Sequence, residues 1–117
     1  MSGNTTTTEA PLETIRTNYF EALENEDMDL AAAGSDARRT MITANVRSAR
    51  QIYWDAKANQ LSEQGQAVQD AHDAAKAANA AVKKAREQSE TIATIVKLAI
   101  GATDAAGDLL DAAKKAT

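Results

Sequence analysis

A chain of 117 residues with 44% apolar and 26% charged residues has the size and balance of one globular domain, and not of a chain disordered throughout. Cysteine is absent, which excludes disulfides, thiol catalysis and zinc–thiolate sites. The net charge is −4 and aromatics make up only 3%, so a core must come from many close contacts between small side chains.

Residues 1–9 carry four consecutive threonines and no apolar period, and they read as a disordered tail ahead of a single domain at 10–117. The opening stretch lacks the basic region and apolar core of a Sec-type signal peptide. The expected location is the cytoplasm, or outside the cell by a route without a cleaved Sec-type leader. Pro11 suits a first helical turn, where its missing N–H costs nothing. Leu12, Ile15, Tyr19, Ala22 and Leu23 follow at helical spacing, and the acids of Glu24 to Asp27 oppose the macrodipole and favour a stop.

Residues 28–34 add a short helical turn or two, with Gly34 as a left-handed C-cap. Ser35 or Asp36 then caps a second helix that runs to about Ser62. The stretch LSEQGQ is the best internal turn, with Gly65 free to take positive φ. Beyond it, Val68, Ala71, Ala75, Ala78, Val82, Ala85, Ser89, Ile92, Val96, Ala99, Thr103, Ala106, Leu110 and Ala113 alternate steps of four and three. Neighbouring apolar residues widen that stripe beyond a coiled-coil seam, with Gln88 as the exception. This third segment either continues through Gly101 or breaks there, with Thr103 or Asp104 capping a last helix. A strand over the β-branched residues 91–96 would have no partner. The reading is an all-α antiparallel bundle of three to four helices, built on a long helical hairpin that turns near residues 60–64.

Charge is uneven along the chain. Residues 1–36 hold eight acids and one base, a net of −7, while residues 37–57 hold five bases and one acid, a net of +4. The second segment also carries the one tryptophan, Trp54. At about 100° per residue, Met41, Ile42, Ala49, Ile52, Tyr53 and Ala56 share an apolar arc. Arg39, Arg50 and Lys57 stack on another arc with Arg47 beside them, and Trp54 falls between Arg47 and that stack. These five residues are a candidate interaction patch for an anionic partner. The competing expectation, which carries more weight because tryptophan is buried on average, is that the first helix covers Trp54 and brings Glu13, Glu21 and Glu24 to the arginines.

Chemistry beyond recognition has little support. His72 is the lone histidine; Gln69 stands where a Glu-x-x-His di-iron pattern needs its acid, and no HExxH run exists. The glycines form no phosphate loop and no nucleophile elbow appears. No catalytic residue, metal, cofactor or small-molecule substrate is indicated. The basic cluster Lys83, Lys84 and Arg86 is flanked by Asp73 and Glu87 and reads as a solvated face, so nucleic acid is disfavoured. The expected function is that of a non-enzymatic helical protein working through a protein partner or self-association, and a homodimer stays open because it would bury more area than a thin alanine core. The alternative is a peripheral membrane or hydrophobic-surface binder using residues 91–117, with Ile92, Ile95, Ile100, Leu109 and Leu110 as contact residues. The most apolar stretch, 91–102, is too short to span a bilayer and contains Lys97.

Overall fold

Pro11 is the first residue of helix α1 (Pro11–Glu24) in the computed structural model, which describes residues 10–117. The tail expected at 1–9 lies outside the described residues. Four further helices follow: α2 (Glu26–Ala32), α3 (Asp36–Ala58), α4 (Gln66–Glu87) and α5 (Ile92–Lys115). Among the described residues there is no strand, and the β-branched run 91–96 is helical from Ile92 onward.

The early boundaries follow local chemistry. Asn25 closes α1 by donating from Nδ2 to the Glu21 carbonyl at 2.8 Å, which satisfies one orphan acceptor of the last turn. Gly34 takes φ +80° after α2, as its C-cap role requires. The Ser35 hydroxyl accepts from the Arg38 backbone N–H at 3.1 Å and starts α3.

Two later expectations need correction. α3 ends at Ala58, short of Ser62, while Gly65 takes the positive φ, +99°, as the N-cap of α4. The long third segment is two helices that break at residues 88–91, and α5 runs unbroken through Gly101 and Gly107. The break is a Schellman motif with serine in the glycine position. Ser89 sits at φ +53°, the Glu90 N–H bonds the Ala85 carbonyl at 3.0 Å, and the Ser89 N–H bonds the Arg86 carbonyl at 3.1 Å. Thr91 then caps α5 by accepting from the Thr94 N–H at 3.3 Å. Thr103, expected as a cap, is buried in mid-helix.

Folding back at 88–91 turns the two halves of the apolar stripe toward each other. Val68, Ala75, Val82 and Ala85 of α4 are buried, as are Val96, Ala106, Leu110 and Ala113 of α5, and these two helices form the most extensive pair in the fold. Small side chains let the two backbones approach closely.

The expected hairpin of α3 and α4 is absent: these two helices do not pack on each other. α1 and α5 lie between them, each touching α3, α4 and one another. Side-chain pairs give the directions. Asn79 and Arg86 of α4 meet Thr14 and Glu21 of α1 at a constant offset of 65 residues, so α1 and α4 run the same way. Lys114 pairs with Asp55 at 3.4 Å, and Ile100 lines a shallow cleft with Met41, so α3 and α5 also run together, opposite to the first two. The loop from Asn59 to Gly65 crosses the end of α5, where the Ser62 N–H bonds the Ala113 carbonyl at 3.0 Å.

One main core holds Ile15, Tyr19, Val46, Tyr53, Val68 and Leu109, while a smaller one joins Ala33, Ile42 and Val96. Between α1 and α5, the Asn18 Nδ2 donates to the Thr103 hydroxyl at 3.1 Å and its buried Oδ1 has no partner. In α5, Gly101 faces open space where a Cβ would stand. Gly101→Ala is therefore expected to add about 1 kcal/mol of stability through helix propensity alone. A higher urea midpoint at unchanged slope checks this; a lower midpoint would mean the glycine serves a conformation other than this helix.

Candidate functional site

All four aromatic side chains of the protein gather in one cluster at the α1/α3 seam. Tyr19 and Phe20 come from α1, Tyr53 and Trp54 from α3. Helical spacing puts Tyr19 on the buried stripe with Ile15 and Ala22, and Tyr53 on the stripe with Val46, Ala49 and Ala56. The two tyrosine rings stack with centroids 5.5 Å apart and planes at 29°. Phe20 leans on both of them, at 5.5 Å from Tyr19 and 5.9 Å from Tyr53. Trp54 continues the row at 5.5 Å from Tyr53, tilted by 57°.

α1 covers Tyr53 and leaves Trp54 out. The indole is 55% exposed, against the expectation that helix one buries it. The reason lies in the register. Tyr19 and Phe20 fill the seam with their own rings against Tyr53, and Trp54, one residue on, is rotated about 100° away from that contact.

Cations sit over the rings. The Arg16 guanidinium carbon stands 4.9 Å from the Phe20 centroid, and Arg50 is 5.9 Å from Tyr19. Lys57 Nζ lies 5.1 Å from Trp54 and 5.7 Å from Tyr53. Each such contact contributes roughly 0.5–1 kcal/mol at an exposed site. Arg50 also donates from Nε to the Tyr19 hydroxyl at 3.1 Å. That bond, with the nearby charge of Glu26 as a lesser cause, raises the Arg50 pKa above its ordinary value. Arg47 is exposed on the same arc of α3. Thus Arg47, Arg50, Trp54 and Lys57 form one solvent-facing surface, while Arg39 is drawn aside into an ion pair with Asp36 at 2.8 Å.

The acids of α1 go elsewhere than expected. Arg86 of α4 receives Glu21 at 2.7 Å and holds Asp29 of α2 with two parallel bonds of 2.7 and 2.8 Å. The hydrogen bond to Asp29 raises the Arg86 pKa against the opposing effect of burial. This triad ties α1, α2 and α4 together, and it leaves the α3 cations without Glu21. Phe20, at the other end of the aromatic row, lines an open groove of about 600 Å³ between α1 and α4, shared with Arg16, Glu24, Asn79 and Lys83.

The segment proposed for surface binding is mostly interior. Ile95, Leu109 and Leu110 are buried, and Ile92 and Ile100 are half-buried. Presenting that face to a membrane would require taking α5 out of both cores. No helix among the described residues is long and apolar enough to cross a membrane. His72 bonds Thr14 through Nε2 at 2.6 Å, and among the described residues no group of three or more His, Asp or Glu converges as a metal site would. No protein-family model, curated protein or solved structure matches this chain.

Proposed function

We propose that this chain is a non-enzymatic interaction protein, a bundle of four long helices and the short α2 that docks an acidic protein segment on the α3 face around Trp54. One observation carries the reading: the single tryptophan stands 55% exposed among the exposed cations Arg47, Arg50 and Lys57. Tryptophan and arginine are the residues most enriched where binding energy concentrates. The stacked tyrosines beneath hold the indole's neighbours rigid, which lowers the ordering cost of docking. A saturable turnover of any small molecule, abolished by a point substitution, would overturn the non-enzymatic part.

Trp54 is also the probe. Its emission is expected to be red in the free protein, and iodide is expected to quench it with a larger Stern–Volmer constant than caesium, because neighbouring cations concentrate anions at the ring. Polyglutamate should then shift the emission blue, with the effect lost in the Arg47→Glu, Lys57→Glu double variant. Equal quenching by the two ions and no response to polyglutamate would defeat the proposal. A shift with anionic vesicles alone, and none with polyglutamate, would move the reading to a membrane surface.

A further inference from the structure

The unequal charge of the two sequence segments is only partly resolved inside the fold. Glu21 and Asp29 are consumed by Arg86, Asp36 by Arg39, and Glu26 acts on Arg50. Glu24 and Asp27 have no ion pair among the described residues. They are exposed at the α1/α2 corner, together with Leu23 at 38% and Met28 at 58% exposure. These four lie within six residues of one another across the α1/α2 junction at Asn25. Four large hydrophobics are exposed among the described residues: Leu23, Met28, Met41 and Trp54. Three of the four thus belong to two patches of opposite sign: an aliphatic pair flanked by carboxylates, and an indole flanked by cations.

We propose that the Trp54 face docks the Leu23–Met28 corner of a second copy of this chain. This rests on the reading that the Trp54 face is a docking surface, and it names the acidic partner. Met28 offers a flexible thioether to the indole, a favourable sulfur–aromatic contact. Glu24 and Asp27 supply carboxylates to Arg47 and Lys57, which have no ion pair among the described residues. Each copy presents both patches, so every docking event leaves a complementary pair for the other copy or for the next one.

The test is sedimentation velocity of the full chain over a range of concentrations, at low ionic strength and at about 1 M salt, where the Debye length falls to about 3 Å. Association that grows with concentration at low salt and disappears at high salt is expected. Trp54→Ala should weaken it about tenfold or more, as for a central anchor. The decisive comparison uses two charge reversals, Arg47→Glu with Lys57→Glu in one variant and Glu24→Lys with Asp27→Lys in the other. Each alone should stay monomeric, and an equimolar mixture should recover the mass of the association, since each variant then meets an opposite patch. Unchanged helicity and melting by circular dichroism confirm that both fold. A wild-type chain that is monomeric throughout, an association indifferent to these substitutions, or a mixture that stays monomeric overturns the inference. If the chain is monomeric while polyglutamate still shifts Trp54 emission, only the second-copy inference falls; if that shift is absent too, the docking surface falls with it.

Discussion

Leu109→Ala is expected to lower the unfolding free energy by about 3 kcal/mol, within the usual range for a buried leucine. Leu109 is fully buried in the main core. Much of its surroundings is alanine: Ala22, Ala49, Ala56, Ala75, Ala106 and Ala113 are all buried in the same cluster. Alanine side chains have no rotamers with which to fill a hole, so the cavity persists unless whole helices move. A domain of this size has roughly 5–15 kcal/mol of stability in total, and its large apolar side chains are few, so one leucine is a sizeable share. Urea unfolding should show a lower midpoint at the same slope. A loss well under 1 kcal/mol would mean that α5 settles inward and that the helices are less tightly seated than their close approach implies.

Arg86→Met is expected to cost a similar amount, about 3 kcal/mol or more, because it leaves carboxylates uncompensated in a half-dry site. The Asp29 side chain is only 9% exposed and the Arg86 side chain 12%. Without the guanidinium, Asp29 and Glu21 face the same gap with like charge. The wild-type contribution should be flat across neutral pH. The folded Arg86 pKa is raised, first by its bond to Asp29, so its stabilisation is complete below the ordinary arginine value and is lost only as pH rises through the higher folded one. The triple variant Glu21→Gln, Asp29→Asn, Arg86→Met should be less destabilised than Arg86→Met alone, since no unpaired charge remains. Thermal melts across pH check both statements; a triple variant worse than the single one would mean that the ion pairs contribute more than the desolvation they require.

Where residues act through local chemistry, the fold could be read ahead. Pro11, Gly34 and Ser35 announced two helix starts and one stop, because each acts on backbone atoms a few residues away. The 4–3 apolar stripe from Val68 to Ala113 was also genuine. Its fold-back was hidden because Ser89 holds the left-handed position that glycine usually marks, while Gly101 and Gly107 sit harmlessly inside a helix. Gln88 was the one polar residue among the neighbouring positions that widen the stripe, and it stands at the break. The Trp54 surface was legible from helical geometry within α3. What α1 does to it was not, since that depends on a register between helices: Tyr19 and Phe20 took Tyr53 and left the indole free. Charge alone also misassigned Glu21. Opposite charges attract at any separation along the chain, and its partner lay 65 residues away in α4.

The order of the helices in the chain also has a consequence for synthesis. α4 and α5 are joined by four residues, so their pairing closes a short loop and needs nothing else. α1 is different. Its polar partners Arg50, His72, Asn79, Arg86 and Thr103 lie 31 to 85 residues further on, counted from Thr14, Asn18, Tyr19 and Glu21. During translation α1 emerges before every one of them. It waits, amphipathic, first for α3 to cover its aromatic pair through Tyr53 and then for α4 and α5 to cover its other side. The first of these five helices to be made is thus among the last to be fully seated, and in that interval Ile15 and Tyr19 are surfaces that a chaperone would meet.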